Sequence, residues 1–236
     1  MNGPVMILLP GYNVGRHLDD LVPRIRRALP DAHICLVDDG SADDTAERGE
    51  ALGVEVLRHG MNQGKGAALK TGFAHASARG DAAVITMDSD GQHLPEELHR
   101  FVECWREGHE VVVGDRMAAN ENMPWLRKRT NEFTSWVVSR LAGARIPDSQ
   151  NGYRLLEVRV LQSLRLESSR YDMESEVLIK AGRLGYRVGA VPVSTVYHDE
   201  ESSIHPFVDT LRFLRLVWRS RRWRRNPGAG APGPAH

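Results

Sequence analysis

Short apolar, β-branched runs alternate with stretches of helical period through the first half of the chain. The runs at 5–9, 33–37, 54–57, 83–87 and 110–114 predict strands, and the segments 16–28, 42–52, 65–79 and 95–107 between them predict helices. That rhythm predicts an α/β domain whose mostly parallel central sheet is covered by helices. Beyond residue 120 the pattern changes to a long helical segment at 124–142, a polar loop from Asp148 to Tyr153, a helix at 172–185 and a strand at 188–197. This half is expected to build the wall opposite the first. No internal repeat is visible, and the Gly/Pro/Ala stretch at 227–235 lacks the apolar residues that would order it. The expected organisation is one domain over 1–203, an amphipathic basic helix over 204–225 and a disordered tail over 226–236.

Composition narrows the setting. The 236 residues are 41% hydrophobic and 26% charged, an ordinary globular balance that excludes a disordered or collagen-like chain. The longest apolar runs, such as Val5 to Leu9 and Val111 to Val113, fall far short of the roughly 18 residues needed to span a bilayer. The start, Met1-Asn2-Gly3-Pro4, has no basic region, so no cleaved secretory signal is expected. Cys35 and Cys104 both sit in apolar segments, which points to a reducing, cytoplasmic setting.

The formal net charge of zero hides an asymmetry. After Asp209 there are seven arginines and no acid, so residues 1–209 hold 24 basic against 31 acidic residues, a net −7. A basic arm on an acidic body suits an anionic surface. An acidic body opposes a polyanion, so lipid is favoured over nucleic acid. At 100° per residue Phe207, Leu211, Leu214 and Trp218 fall on one stripe, with Arg212, Arg215, Arg219 and Arg222 on the adjacent face. Phe213, Trp218 and Trp223 suit a headgroup zone, which predicts peripheral attachment to the inner face of the cell membrane. The alternative is that the stripe packs on the domain and leaves the arginines solvated.

In a parallel sheet, ligands bind at the carboxyl ends of the strands, so the polar residues after each apolar run should share one rim. The rule collects Pro10-Gly11-Tyr12-Asn13, Asp38-Asp39-Gly40-Ser41-Ala42-Asp43, Asp88-Ser89-Asp90-Gly91-Gln92-His93 and Gly114-Asp115-Arg116. Asp88 and Asp90, one residue apart, can both turn toward a hard divalent cation, Mg²⁺ or Mn²⁺, whose oxygen shell a neighbouring amide or water completes. A calcium hand is excluded, because Gly91 is fourth and His99 twelfth in the loop. Asn62-Gln63-Gly64-Lys65-Gly66 opens a helix and could face an anion with Lys65 as a point charge, although it lacks the spacing of a nucleotide P-loop.

Taken in order with Asp148-Ser149-Gln150-Asn151-Gly152-Tyr153-Arg154, these motifs resemble family 2 glycosyltransferases, and among them polyprenyl-phosphate sugar synthases of the dolichyl-phosphate mannose synthase type. The resemblance runs from about residue 4 to 216. It implies a GT-A fold and a nucleotide-sugar donor. Pro10 and Tyr12 would line the nucleoside pocket, Asp39 would bond the base, and Asp90 and Gln92 with Asp88 would hold the metal on the diphosphate. Arg116 and Arg129 would contact phosphate, and Glu174 and Glu176 would lie toward the acceptor. Two departures stand out: Val14 replaces the usual acid after Tyr-Asn, and His198-Asp199-Glu200-Glu201-Ser202-Ser203 replaces a basic stretch, which leaves the acceptor open.

The chemistry can be stated beside that likeness. Breaking a sugar–phosphate bond builds negative charge on the departing diphosphate, which a divalent cation stabilises, with Arg116 and Lys65 as further fixed charge. A phosphate acceptor, with a second pKa of about 6, is already ionised and needs no strong base. A hydroxyl acceptor needs one, for which Asp115, Asp148 and Glu174 are candidates, although Asp148 also fits an Asx-turn. The expected activity is therefore inverting, metal-dependent transfer of a sugar from a nucleotide-sugar donor to a lipid phosphate. The alternatives are a hydroxyl acceptor in envelope polysaccharide or glycolipid synthesis, and a silent membrane-associated scaffold. The expected catalytic residues are Asp90, Asp88, Arg116 and Asp148.

Overall fold

The computed structural model describes residues 3–117, 125–168, 172–194, 213 and 215–223, without the side chains of 126 and 127. Among them run β1 (Val5–Gly11), α1 (Gly15–Ala28), β2 (His33–Asp38), α2 (Thr45–Ala51), β3 (Glu55–Arg58), α3 (Lys65–Arg79), β4 (Ala83–Thr86), α4 (Leu98–Arg106), β5 (Val111–Asp115), α5 (Trp125–Ala142), β6 (Arg154–Glu157), α6 (Val158–Ser163), α7 (Asp172–Leu184) and β7 (Val188–Pro192). The strands form one sheet in the order β3-β2-β1-β4-β6-β5-β7. Every neighbouring pair is parallel except those of β6, which runs antiparallel to both β4 and β5.

Successive strand residues face opposite sides, and both sides are buried. Met6, Leu8, Cys35, Val37, Val84, Val111 and Val113 meet the α3, α5 and α7 layer. Ile7, Leu9, Ile34, Leu36, Ile85 and Val112 meet α1 and α4. A sheet covered on both faces needs near-continuous apolar strands, which is why these runs stand out in the sequence. Helix α3 lies so close to β1 that a Cβ on Gly72 would stand 2.3 Å from Leu8 Cδ1.

Three expectations change. The second half of the chain is not only an opposite wall, since β6 and β7 extend the same sheet on either side of β5. The expected helix at 42–52 starts at Thr45, because Ser41 and Asp43 spend their polar groups on loop contacts: Ser41 N–H donates to Asp38 Oδ1 at 3.1 Å, and Asp43 Oδ1 accepts from Thr45 N–H at 3.1 Å. The last strand stops at Pro192.

The tail helix is described over 215–220, where it packs on the domain; of the expected stripe only Trp218 lies among the described residues. Leu216 and Ser220 are buried, and Phe213 and Trp223 pack beside them. Arg183 on α7 donates to the Trp223 carbonyl at 2.7 Å, and the Lys180 ammonium lies 4.4 Å from the Trp223 ring centre. Trp218 instead faces outward with Arg221 and Arg222, and the Arg222 guanidinium lies 4.3 Å from its ring centre. Phe207, Leu211, Leu214, Arg212, the segment 198–203 and the expected disordered tail 226–236 lie outside the described residues.

Candidate active site

The carboxyl ends of β1, β2 and β4 meet at one rim, and side chains stitch their loops together. Asn13, at φ 54°, accepts from the Ala42 N–H at 2.8 Å, and its own N–H donates to Ser41 Oγ at 2.9 Å. The start of α1 is satisfied across the rim: Val14 N–H donates to Thr45 Oγ1 at 2.8 Å and Gly15 N–H to Asp43 Oδ2 at 3.2 Å. Partial burial pushes Asp43 up, but the bonds from Thr45 and Gly15 outweigh it and hold the carboxyl below its ordinary range. Ser89 Oγ donates to the Pro10 carbonyl at 2.9 Å, which fixes the Asp88–Asp90 turn against β1. Tyr12 projects from the same end, half exposed.

Because β6 is antiparallel, the loop that precedes it arrives at this same rim. Thr86 Oγ1 donates to the Gly152 carbonyl at 2.7 Å, and Asn151 Nδ2 donates to the Gly114 carbonyl at 2.8 Å. The 148–153 loop is thereby laid across the ends of β4 and β5. Gly152 forms the floor: a Cβ there would stand 2.8 Å from both Lys65 Nζ and Asp88 Oδ2.

On that floor Lys65 Nζ lies 2.6 Å from Asp88 Oδ1 and 3.2 Å from Glu174 Oε1 on α7. Burial alone would push Asp88 up, but Lys65 and His93 override it and draw the carboxyl well below the carboxylate range. Burial likewise opposes the Lys65 charge, and Asp88 and Glu174 reverse the effect, so its pKa is raised. His93 Nε2 stands 3.5 Å from Asp88 Oδ2, with its ring against the fully buried Tyr153. Asp90 Oδ1 accepts the Gln92 N–H at 3.0 Å.

Beside this group Arg116 holds Asp148 in a bidentate pair, Nε to Oδ2 at 2.6 Å and Nη2 to Oδ1 at 3.0 Å, with Asp148 fully buried. Asp148 Oδ1 also accepts the Gln150 N–H at 3.2 Å, the Asx-turn foreseen as the alternative role. Between the two groups lies Arg154, whose guanidinium donates to the carbonyls of Asn151 at 2.7 Å, Glu174 at 2.7 Å and Ser149 at 2.8 Å. Burial lowers its pKa, and Glu174, Asp148 and Asp88 offset part of that. Arg154 closes the 148–154 motif in the sequence, which assigns it no role; the signal is an arginine directly before the apolar pair Leu155-Leu156.

Other expected residues sit differently. Asp39 is buried beneath the 62–66 loop, where its oxygens accept from Gly64 N–H at 2.7 Å and Gln63 N–H at 3.1 Å and pair with His59 Nδ1 at 2.6 Å. These bonds make it a holder of the loop that carries Lys65. Arg129 lies on the exposed side of α5, ion-paired to Glu132 at 3.3 Å. Glu176 faces away from the rim in its contacts: it accepts the N–H groups of Glu167 at 2.9 Å and Ser168 at 2.7 Å and pairs with Lys180.

The residues fit a hard divalent cation. Asp88, Asp90 and Gln92 offer oxygen donors on one turn, and the rim carries the carboxylates Asp88, Asp90, Asp148 and Glu174 against the cations Lys65, Arg116 and Arg154, an excess of negative charge.

The model of glycosyl transferase family 2 matches residues 6–164, and the chain belongs to that family. It is 31% identical to the polyprenol monophosphomannose synthase of Mycolicibacterium smegmatis, over 80% of this chain and 76% of that one. It is 30% identical to the undecaprenyl-phosphate mannosyltransferase of Micrococcus luteus, over 81% and 83% respectively. The fold matches glucosyl-3-phosphoglycerate synthase from Mycobacterium tuberculosis in complex with uridine diphosphate at a TM-score of 0.73 and 19% identity, covering 92% of this chain and 80% of that one. The same protein is also known with Mn²⁺ and UDP-glucose. The α/β fold is therefore of the GT-A type, and the protein is a glycosyltransferase.

Proposed function

We propose that this glycosyltransferase moves a sugar, with inversion, from a nucleoside-diphosphate sugar to the phosphate of a polyprenyl-phosphate lipid at the cytoplasmic face of the membrane. One observation favours a phosphate acceptor over a hydroxyl: Asp148 is locked to Arg116 and Glu174 is paired with Lys65, so two of the three candidate bases are already committed to cations. An ionised phosphate oxygen attacks without surrendering a proton. The named activities of the similar mycobacterial and micrococcal enzymes support the same acceptor class.

In the reaction the acceptor oxygen forms a bond to the anomeric carbon as the bond from that carbon to the diphosphate breaks, and the nucleoside diphosphate leaves. Asp88, Asp90 and Gln92 would hold Mg²⁺ or Mn²⁺, which when bound supplies positive charge to the diphosphate. Lys65 is preset by Asp39, through the 63 and 64 amides, to add a fixed charge beside it. Asp148 orients Arg116 toward the same purpose. Tyr12 and the Pro10 segment form the nucleoside side, with the Tyr12 ring as a stacking face. Arg129 would reach phosphate only by leaving Glu132.

Two outward faces suit a membrane surface. On α5, Trp125, Phe133 and Trp136 are exposed on a stripe shared with Arg129 and Arg140, and Phe133 stacks on Trp136 at 6.2 Å. On the tail helix, Trp218 and its neighbouring arginines project outward. Among the described residues no helix is long and apolar enough to cross a membrane.

A panel of nucleotide sugars, incubated with Mg²⁺ or Mn²⁺ and polyprenyl phosphate, tests the reading. One donor should be consumed by the native chain and spared by folded Asp90→Asn. Wild-type turnover by that variant would remove the metal assignment.

A further inference from the structure

Away from the rim, where β2 and β3 begin, three side chains from three elements converge. His33 opens β2 and Glu55 opens β3. The register pairs Cys35 with Glu55, so His33, Cys35 and Glu55 all face the side of the sheet that α3 covers. His75 comes down from α3, between the buried Phe73 and Ala76 and one turn beyond Thr71.

His33 Nε2 lies 2.6 Å and His75 Nε2 3.0 Å from the same atom, Glu55 Oε2. The three ligand atoms all fall within 4.8 Å of one another. The side chains are 26%, 37% and 21% exposed, so an ion could enter and keep a water in a fourth position. Their backbones are fixed by the parallel ladder and the α3 packing, which makes the convergence a property of the fold.

We propose that His33, Glu55 and His75 form a binding site for a borderline divalent cation of the Zn²⁺ type, separate from the oxygen-lined rim. Two imidazoles and one carboxylate are a donor set that suits zinc and leaves one position open. Ligand bonds of about 2.0–2.2 Å require donors a little over 3 Å apart, which small side-chain rotations reach from the present spacing. The other grouping with mixed donors, Cys104, Glu107 and His109, is less suited: burial pushes the Cys104 thiol up, and His109 Nδ1 lies 3.0 Å from the Cys104 carbonyl.

An ion there joins the edge strand β3 to β2 and to the far half of α3. Its role is a clamp on the fold, outside the transfer chemistry.

The test uses the full chain without a histidine tag, titrated with Co²⁺ as a visible probe in excess Mg²⁺, which occupies oxygen sites. One equivalent should bind with the absorption of a four-coordinate nitrogen and oxygen site, be displaced by Zn²⁺, and raise the melting temperature. His75→Ala and His33→Asn should each weaken binding by about tenfold or more, as the loss of one ligand implies, while Asp90→Asn binds as the native chain does. Circular dichroism of the metal-free variants shows that they fold, and Glu55→Gln serves as a third, isosteric variant. Absence of Co²⁺ binding to the native chain, or equal affinity in the folded histidine variants, would overturn the site.

Discussion

Lys65, the first residue of α3, holds Asp88 at the end of β4, Nζ to Oδ1 at 2.6 Å, and reaches Glu174 on α7 with the same ammonium at 3.2 Å. One cation thus ties three elements together at the carboxylate on which the proposed metal chemistry depends. Lys65→Met takes the shared ammonium from two poorly solvated carboxylates, and His93 beside Asp88 replaces only part of it. The expected cost is about 3 kcal/mol at neutral pH, together with loss of donor turnover. Asp88 is depressed in the fold, so its contribution is complete above its ordinary pKa of about 3.9 and fades as pH falls further; Lys65 is raised, so its contribution is complete below about 10.4 and fades as pH rises further. Urea unfolding of both proteins at pH 7 and near pH 3 should show a large difference that shrinks in acid.

Gly152→Ala separates the site from the fold. The added methyl would meet Lys65 Nζ and both Asp88 oxygens at 2.8–2.9 Å, so the pair must part. Donor turnover should fall by at least about tenfold, while the melting temperature changes by only a few degrees. Full turnover with an unshifted Mn²⁺ dependence would show that this floor is not part of the reaction centre.

Asp148→Asn tests whether Asp148 positions Arg116 or takes a proton. It removes the bidentate charge of Asp148 from a buried guanidinium, with an expected loss of about 3 kcal/mol in stability. Under the phosphate-acceptor reading the remaining activity keeps the native pH profile. A profile that loses its acidic limb would make Asp148 the base.

The tail helix is expected to separate packing from surface contact. Leu216→Ala, at a buried position, should cost about 2–5 kcal/mol in stability. Trp218→Ala with Arg221→Gln and Arg222→Gln, all facing outward, should leave the melting temperature within a few degrees and lower binding to anionic vesicles. Equal vesicle binding by that triple variant and the native chain, at low and high salt alike, removes this face from the membrane.

Much of this was legible in the chain because parallel strands buried on both faces announce themselves as apolar runs, and the polar residues that follow each run share an edge. That logic collects Asp88 and Asp90, and the separate helix-start motif at 62–66 adds Lys65. It could not find β6, only Arg154–Glu157, whose reversed direction brings the loop before a strand, rather than the one after it, to the rim. Arg154 and the Lys65–Glu174 pair were hidden for the same reason, since their partners meet only in three dimensions. Asp39 shows a second limit: its place in the motif is plain, but its burial under the 63 and 64 amides is set by loop closure. The sequence could not say which side of the tail helix packs, because apolar residues occur on two sides of it, and only contact with α7 distinguishes Leu216 and Trp223 from the exposed Trp218.

Phosphate and hydroxyl acceptors are told apart by mass spectrometry of the product formed when the active donor is offered with polyprenyl phosphate and, in parallel, with the corresponding free polyprenol. A lipid of the mass of polyprenyl phosphate plus one sugar, formed only with the phosphate and lost in Asp90→Asn, is the outcome expected. Glycosylated polyprenol, or transfer to neither lipid while a hydroxyl-bearing saccharide is extended, would contradict it.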